Sequence, residues 1–442
     1  MSLESNQPSL RVAIIGGGMG GLVLAMCLKK YAPDVDFDIY ESAAELTEIG
    51  AGIGMTPRIW WIMKELGLED ELLTIAGSKD RDGFPLQHRK GDEEQGVHIA
   101  YTERIYTFHR SIMQQLLAKH LDAGDKIHFS KRLKSYSETS ATEPITLTFK
   151  DGTTATCDLV VGSDGIRSAV RRTMFNELAD DAEKHGDGEK ATRLRDMIEP
   201  VYTGQIAYRG VVPTSALSDE IVQYAKAPLL DMMFYPVSGG KLVNALAVKY
   251  TPGHGRTYDG PWVKPTTAGD VVKLFEGWET NALTLFKAVT EPLCWAIHTV
   301  PDLPTYVKGR VALIGDAAHA QLPHQGAGVG QASEDGYILA TILAHPSVTL
   351  NNLPAALAVY DDVQRPFSQS VLHGSDRNGM NFQLRRAGWE NVSAEDSKAG
   401  RYAPELLAAV GEEVIKQVKW AYETNIEDDR ARVVERVAAL VA

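Results

Sequence analysis

The feature that most constrains the fold is a glycine-rich turn near the start of the 442-residue chain. Residues 10–31, LRVAIIGGGMGGLVLAMCLKKY, place Gly16, Gly18 and Gly21 between an apolar run of strand length and one of helix length. A second short run, DFDIY, leads directly to Glu41. This order predicts a parallel βαβ unit in which a pyrophosphate approaches the helix N-terminus and the acidic residue accepts hydrogen bonds from a ribose. The sequence therefore predicts dinucleotide binding, without distinguishing FAD from NAD.

The composition is that of an ordinary globular protein, with 44% hydrophobic and 23% charged residues. This length allows two or three domains. The formal net charge of −13 argues against nucleic acid or an anionic membrane as the main partner. Three widely separated cysteines show no CxxC spacing, which favours a reducing, cytoplasmic setting with no disulfide framework and no metal. Glycines interrupt the longest apolar run, Val12 to Leu28, so we predict no membrane span.

The nucleotide-binding pattern continues after an excursion. Residues 110–121 have the apolar spacing of an amphipathic helix. Residues 145–162 predict a hairpin that turns at Asp151-Gly152 and leads into a third buried strand. These segments extend the predicted α/β unit.

A second unit is predicted further along the chain. Residues 177–195 are strongly charged, which indicates a solvated helix or a mobile loop within an insertion. Residues 204–251 alternate apolar and polar positions around a Ser-Gly-Gly turn, as antiparallel strands do. Residues 309–320 return to a buried strand and a glycine turn, and the remainder is mostly helical in pattern.

Two further motifs indicate which dinucleotide is bound. DLVVGSDGIRSAVRR contains Asp164-Gly165, and GRVALIGDAAH contains Gly315-Asp316. With these motifs in this order over residues 10–370, the chain resembles the class A flavoprotein monooxygenases, the single-component aromatic hydroxylases that use FAD and NAD(P)H. The run GDAAHAQLPHQGAGVGQASED at residues 315–335 is most similar to salicylate hydroxylase and its fungal relatives.

The resemblance implies an α/β fold with an FAD-binding Rossmann-like domain of the para-hydroxybenzoate hydroxylase type, an inserted antiparallel-sheet substrate domain and a helical C-terminus. We expect residues 8–80, 105–176 and 297–370 to form the FAD-binding domain. Residues 81–104 and 177–296 would form the substrate domain, and residues 371–442 the C-terminal helical region.

The resemblance assigns several residues to the nucleotide and ribityl parts of FAD. Those for the ADP half are Gly16, Gly18, Gly21 and Glu41. Asp164 would lie near the pyrophosphate and near the passing NADPH or NADH, and Asp316 would bind the ribityl chain. Both aspartates also have a plainer interpretation, because Asp is common where a helix or turn begins.

Four more residues would surround the flavin ring. Arg110 matches an arginine that contacts the flavin, and Gly54 belongs to a glycine-rich loop, residues 50–55, beside the isoalloxazine ring. Gly328 and Val329 would line the other side of the ring, where the glycine-rich backbone lets a large ligand approach closely.

The resemblance places four residues beside the substrate. Pro323 and His324 would face the reacting ring, although His324 could instead form a hydrogen bond that only shapes its loop. Arg209 and Tyr235 match a basic group and a phenol of the active site, where a cation favours the ionised form of a phenolic substrate. Arg209 could equally form a salt bridge at a domain interface. His319 is interpreted as structural.

The activity implied is that NAD(P)H reduces FAD, O2 adds to the reduced ring at C4a, and the hydroperoxide passes oxygen to an activated aromatic carbon. The favoured substrate is a small phenolic acid such as salicylate, which would lose CO2 and become a catechol. A first alternative is a hydroxylase, dearomatase or epoxidase of a larger fungal polyketide or alkaloid. A second is a flavin redox or binding protein that consumes NADPH without oxygenating a small molecule. We expect a monomer or homodimer.

Overall fold

The structure is a computed structural model that describes residues 10–46, 52–77, 84–225, 229, 231–253, 255–389, 392, 395–396, 399 and 404–440. Along these residues the strands are β1 (Arg11–Ile15), β2 (Asp36–Tyr40), β3 (Gly52–Met55), β4 (Phe84–Lys90), β5 (Val97–His109), β6 (Ile127–His128), β7 (Leu133–Ser137), β8 (Ile145–Phe149), β9 (Thr154–Cys157), β10 (Leu159–Gly162), β11 (Val201–Pro213), β12 (Met232–Val237), β13 (Leu242–Tyr250), β14 (Val263–Pro265), β15 (Leu293–Thr299), β16 (Val307–Lys308) and β17 (Val311–Leu313).

Helices account for much of the remaining chain. They are α1 (Met19–Tyr31), α2 (Pro57–Glu65), α3 (Glu69–Ala76), α4 (Arg110–Leu121), α5 (Ala169–Lys184), α6 (Gly188–Asp196), α7 (Asp219–Tyr224), α8 (Ala268–Leu274), α9 (Thr280–Lys287), α10 (Asp316–His319), α11 (Gly328–Leu343), α12 (Leu353–Phe382), α13 (Pro404–Val418), α14 (Trp420–Glu423) and α15 (Ile426–Ala438). Among the described residues, no helix is long and apolar enough to cross a membrane.

The largest sheet has six strands in the order β16-β17-β10-β1-β2-β6. Its neighbouring strands are parallel, except that β16 runs antiparallel to β17. Helix α1 packs against α4 and α11, and α5 contacts β10 and β17. The apolar runs in β1 and β10 are therefore buried, as is usual for parallel strands covered by helices. The predicted βαβ unit and third buried strand are both confirmed.

A separate three-stranded sheet has the order β7-β8-β9. Strands β8 and β9 form the predicted hairpin, and Thr153 N donates to Asp151 Oδ1 at 3.0 Å in its turn. Helix α4 begins and ends where the amphipathic pattern predicted, at Arg110 and Leu121. Local sequence patterns were sufficient for these elements because the turn of the hairpin and the apolar spacing of the helix are each contained in a short segment.

The second large sheet has five antiparallel strands in the order β12-β13-β11-β15-β14. It has its own hydrophobic core, to which α7, α8 and α9 contribute apolar side chains such as Ile221, Val271 and Phe286. The predicted antiparallel-sheet unit is therefore present.

A fourth sheet, β3-β5-β4, lies beside the five-stranded sheet. Thr107 Oγ1 on β5 donates to the carbonyl oxygen of Pro236 at 2.5 Å, and Gly52 N on β3 donates to Asn244 Oδ1 at 3.1 Å. These bonds fix β3 and β5 against the five-stranded sheet. The glycine-rich loop predicted at residues 50–55 begins at 50–51, which lie outside the described residues, as does the boundary expected at residues 80–81.

The charged segment at residues 177–195 differs from the expected insertion. Helix α5 runs through the boundary drawn between residues 176 and 177, and α6 follows after a short turn. Ala179, Ala182 and Leu194 are buried in the same core as the six-stranded sheet. Within this segment, alanines and one leucine form the buried faces of the two helices. The charged residues lie on the outward faces, so a high charge does not mean that the whole segment is solvated.

Candidate active site

A large cavity of about 820 Å³ is lined by residues of the two large sheets, the β3-β5-β4 sheet and the C-terminal helices. This volume is within the range usual for ligand-binding pockets. All but one of the predicted site residues line it: Gly16, Gly18, Glu41, Gly54, Arg110, Asp164, Arg209, Tyr235, Asp316, Pro323, His324, Gly328 and Val329. The structure therefore brings together residues that are up to 313 positions apart, from Gly16 to Val329.

The remaining predicted residue, Gly21, shapes the turn instead of lining the cavity. A Cβ at Gly21 would overlap the carbonyl oxygen of Gly16, and Gly16 itself has φ +111°. A larger residue at either position would force the strand and helix apart. Gly18 begins α1 without a side-chain cap, so the first backbone N–H groups of the helix are directed at the cavity end.

Glu41 follows β2 and lies beside this turn. Its Oε2 accepts from Gly17 N at 2.8 Å, while Oε1 accepts from Ala43 N at 2.7 Å and Ser42 Oγ at 3.1 Å. A carboxylate offers about four acceptor positions, so these bonds orient Glu41 and leave capacity for a ribose hydroxyl.

Asp164 is engaged at the start of α5. Its carboxylate accepts from Ala169 N at 2.7 Å, Val170 N at 3.2 Å and Ser168 Oγ at 2.5 Å. Burial raises the pKa of Asp164 above its usual range, although these hydrogen bonds oppose that effect. The geometry agrees with the capping interpretation, and closeness to a pyrophosphate stays a prediction.

Asp316 has a different environment. It begins α10, is exposed to the cavity, and accepts no hydrogen bond from the described residues. The preceding residue is held in place because Gly315 N donates to Asp335 Oδ2 at 2.7 Å, and His319 Nε2 contacts the same oxygen at 2.7 Å. His319 is thus buried and structural, as expected from the sequence, and it positions the Asp316 turn.

His324 lies in a short 3₁₀ turn, residues 323–325, whose Pro323 is exposed and whose histidine is buried. His324 Nε2 is 2.7 Å from Gln205 Oε1, and its carbonyl oxygen accepts from Asn378 Nδ2 at 3.1 Å. Burial lowers the pKa of His324 to about 3, so the ring is neutral at pH 7. The bond to Gln205 matches the loop-shaping interpretation, and the ring also lines the cavity.

Arg209 and Tyr235 lie on β11 and β12, the two strands that flank β13 in the five-stranded sheet. The Arg209 guanidinium is 5.3 Å from the ring centroid of Trp295, and no described carboxylate forms an ion pair with it. Burial, together with the nearby Arg110, lowers the pKa of Arg209 below its usual value. The salt-bridge alternative therefore finds no support among the described residues.

Tyr235 is held by backbone. Its hydroxyl donates to the carbonyl oxygen of Gly52 at 2.8 Å, and burial raises its pKa to about 12. The side chain therefore stays protonated at neutral pH and orients β3, which carries Gly54 into the cavity wall. A role in contacting substrate stays a prediction.

Several known proteins are similar to this chain. A family model described as "FAD binding domain" matches residues 9–186 and 300–375. FAD-dependent monooxygenase str9 of Strobilurus tenacellus is 34% identical, with 97% of this chain and 98% of the relative aligned. A salicylate hydroxylase of Pseudomonas putida is also 34% identical, over 87% of this chain and 88% of its own. The chain belongs to the FAD-binding domain family.

The solved structures agree with this assignment. A salicylate hydroxylase in a substrate complex superimposes with a TM-score of 0.77 at 30% identity, covering 97% of this chain and 98% of that one. Because similarity to monooxygenases extends over nearly the whole chain, we conclude that the protein is an FAD-dependent monooxygenase of the salicylate hydroxylase type.

The cavity of this flavoprotein monooxygenase has the chemistry that FAD requires. Thr56 Oγ1 and Gln114 Oε1 are buried without a hydrogen-bond partner among the described residues, and both residues line the cavity. The flavin and ribityl groups of FAD offer complementary donors and acceptors. Orphaned polar atoms in a cavity of this size fit a large polar ligand better than an apolar one.

Sequence reasoning missed part of the monooxygenase cavity. His88 and Asp231 line it from β4 and from the residue before β12, and the C-terminal helices contribute Val414, Val418 and Trp420. His88 shares an inward face with Leu86 two residues earlier, a period-two signal that was available in the sequence. The C-terminal residues carry no local signal, because their contact with the cavity depends on long-range packing.

Proposed function

We propose that this monooxygenase uses NAD(P)H and O2 to hydroxylate a small phenolic acid, with decarboxylative hydroxylation of a salicylate-type substrate to a catechol as its reaction. The observation that carries the proposal is Arg209, a largely buried cation on the cavity wall that no described carboxylate pairs with. Buried charges are normally paired, so a ligand anion would complete the site. Salicylate, which a related enzyme is named for, supplies both a carboxylate and a phenol.

Named residues would hold the cofactor. We assign the ADP half of FAD to Gly16, Gly18 and Glu41, and the ribityl chain to Asp316. Arg110, Gly54, Gly328 and Val329 would surround the flavin ring. When bound, FAD supplies the redox chemistry, accepting hydride from NAD(P)H and activating O2 for transfer of one oxygen atom.

The chain itself would orient and activate the substrate. A guanidinium beside a phenol lowers the pKa of that phenol, because it favours the ionised form, and a phenolate is the more electron-rich reactant. The neutral His324 ring and Pro323 would pack beside the reacting carbon. Apolar lining residues such as Leu246 and Phe382 would keep water out during oxygen transfer.

The organisation that accompanies this function follows the sequence expectation except at residues 177–195, which pack on the core of the six-stranded sheet. We propose the three-part FAD-binding domain, the two-part substrate domain and the C-terminal helical region, with α5 and α6 packed on the FAD-binding core. The three cysteines are free and buried, in keeping with a cytoplasmic enzyme. NADPH or NADH would bind transiently, and the enzyme would act as a monomer or homodimer.

The test is a substrate screen with the purified, FAD-loaded enzyme. Salicylate and related phenolic acids should accelerate NADH or NADPH oxidation, with catechol and CO2 formed in equal amounts. Oxidation that responds to no phenolic acid would reject this function. If oxidation never responds to any aromatic compound, the flavin redox or binding protein becomes the better description.

A second candidate is the hydroxylation, dearomatisation or epoxidation of a larger polyketide or alkaloid. The observation in its favour is that the C-terminal residues Val414 and Trp420 also line the cavity, beyond the residues assigned to FAD. A substrate larger than one ring could occupy that extension. Product analysis in the same screen, extended to multi-ring phenols, separates the two candidates.

A further inference from the structure

His88 is a buried side chain whose polar atoms are unused. It lies on β4, opposite Ala100 of β5, and only 3% of it is exposed. Neither ring nitrogen has a hydrogen-bond partner among the described residues, yet the residue lines the cavity. Burying polar atoms without partners costs free energy, which a ligand could recover.

The orientation of this imidazole is fixed by packing. Its ring stacks on Phe382, with centroids 5.5 Å apart and an interplanar angle of 21°. The same phenylalanine meets His324 edge-on, with centroids 5.7 Å apart at 78°. Two imidazoles therefore flank one aromatic ring in the cavity wall, and His324 is already bonded to Gln205. His88 is the one of these two with both nitrogens unengaged by described residues.

The charge states of His88 and of a second polar group in the cavity wall follow from their burial. Burial lowers the pKa of His88 to about 4, so at pH 7 the ring is neutral and offers one donor and one acceptor. Asp231 lines the same cavity, and its Oδ1 has no partner among the described residues. Burial raises the pKa of Asp231 to about 8, so this carboxyl is largely protonated at pH 7. Such groups suit hydroxyl or carbonyl groups and disfavour a second anion.

We propose that the substrate carries, besides its phenolic acid, an uncharged hydroxyl or carbonyl substituent that His88 binds as a specificity-determining residue. The inference rests on the proposed function for the acidic end of the substrate, which Arg209 would hold. The preferred substrates are then hydroxylated or acylated salicylates rather than salicylate itself. Asp231 lines the same cavity and is a second group that would bind an uncharged polar substituent.

The experiment compares matched ligands that differ only in this substituent. Dissociation constants are measured from flavin absorbance changes, using dihydroxybenzoates and the methylsalicylates substituted at the same ring position. Wild-type enzyme should bind at least one hydroxyl compound about tenfold more tightly than its methyl partner, the usual consequence of leaving a buried polar group unpaired. No preference at any ring position would overturn the proposal.

Variants identify the residue responsible. His88→Phe keeps the stacking on Phe382 and should abolish the hydroxyl preference while leaving salicylate affinity within about twofold, because only the nitrogens are lost. His88→Gln should retain a preference, and it serves as the test if the phenylalanine variant fails to fold. His120→Phe, at an exposed position of α4 that does not line the cavity, is the matched control. A preference that survives in His88→Phe would also overturn the proposal.

Failure of the proposed function gives a different result. Resorcinol and 3-methylphenol form a hydroxyl and methyl pair without a carboxylate. If these show the His88-dependent preference while no carboxylated compound binds, the phenolic-acid function is rejected, and only the assignment of His88 to an uncharged substituent stands. If no compound of either kind binds, both are rejected.

Discussion

At the scale of single residues, the side chains that face the cavity could largely be identified from sequence, whereas their partners could not. Asp164 and Tyr235 both lie in the cavity wall, as expected. The Asp164 carboxylate accepts a hydrogen bond from a backbone N–H of α5 at 2.7 Å. The Tyr235 hydroxyl donates to the carbonyl oxygen of Gly52 at 2.8 Å. The bond from Tyr235 joins residues 183 positions apart, and no local pattern encodes it.

Arg209 provides the first residue-scale prediction. Arg209→Gln should lower kcat/KM for the phenolic acid by roughly tenfold or more, because a charge-assisted hydrogen bond to the substrate is lost. FAD content should not change. Product formed per NAD(P)H consumed should fall, and the pH optimum should rise, since the phenol loses the cation that lowers its pKa.

The matched control for this change is Arg193→Gln, which removes an arginine from an exposed i,i+4 pair with Glu189. It should leave both turnover and coupling as in the wild type. Unchanged coupling and an unchanged pH profile in Arg209→Gln would show that the guanidinium is not a counter-ion for the substrate.

Asp316 provides the second residue-scale prediction. Asp316→Ala should weaken FAD binding by about tenfold, because it removes a carboxylate that would accept hydrogen bonds from ribityl hydroxyls. The measurement is fluorescence titration of enzyme from which FAD has been removed. Asp302→Ala removes an exposed aspartate paired with His373 and is the control. Equal FAD affinity in the two variants would contradict the ribityl assignment.

At the scale of elements, periodicity predicted strands and helices whose burial follows one simple pattern. The elements of this kind were the largely apolar strands β1 and β10, the hairpin β8-β9 and helix α4. The segment of α5 and α6 was harder, because alanines make a buried face without raising average hydrophobicity. Its charge therefore suggested more solvent contact than the helices have.

The cap of α5 yields an element-scale prediction. Asp164→Ala should lower the stability of the FAD-free protein by roughly 1–2 kcal/mol, because backbone N–H groups at the helix start lose their acceptor. Thermal unfolding of the FAD-free protein is the measurement. Asp187→Ala, which removes the exposed N-cap of α6, should cost less. If Asp164→Ala loses stability only when FAD is bound, its carboxylate acts on the ligand and not as a cap.

At the scale of the whole molecule, the family motifs correctly indicated one cavity shared by distant segments. The contribution of the C-terminal helices was not predictable, because it depends on how α13 packs against α12 and β5. A buried ionic cluster joins α2, α11 and α15. Arg58 on α2 bonds Glu334 of α11 at 2.7 Å and Asp429 of α15 at 2.7 Å. Thr424 accepts a further hydrogen bond from the same guanidinium at 2.7 Å.

Arg58→Met should therefore destabilise the fold by about 3–5 kcal/mol at pH 8, because Glu334, 0% exposed, loses its counter-ion. Burial already raises the pKa of Glu334 and Arg58 opposes that rise, so removing Arg58 raises this pKa further. A folded-state pKa above the unfolded value gives stability that is present at low pH and lost as pH rises through the folded pKa. The defect should accordingly be smaller at pH 5 than at pH 8 in denaturant unfolding.

The double variant Arg58→Met, Glu334→Leu should recover part of the loss, whereas Arg436→Met, which breaks the exposed pair with Asp362, should change stability little. A defect of equal size at both pH values would mean that lost packing, and not the uncompensated carboxylate, accounts for the change.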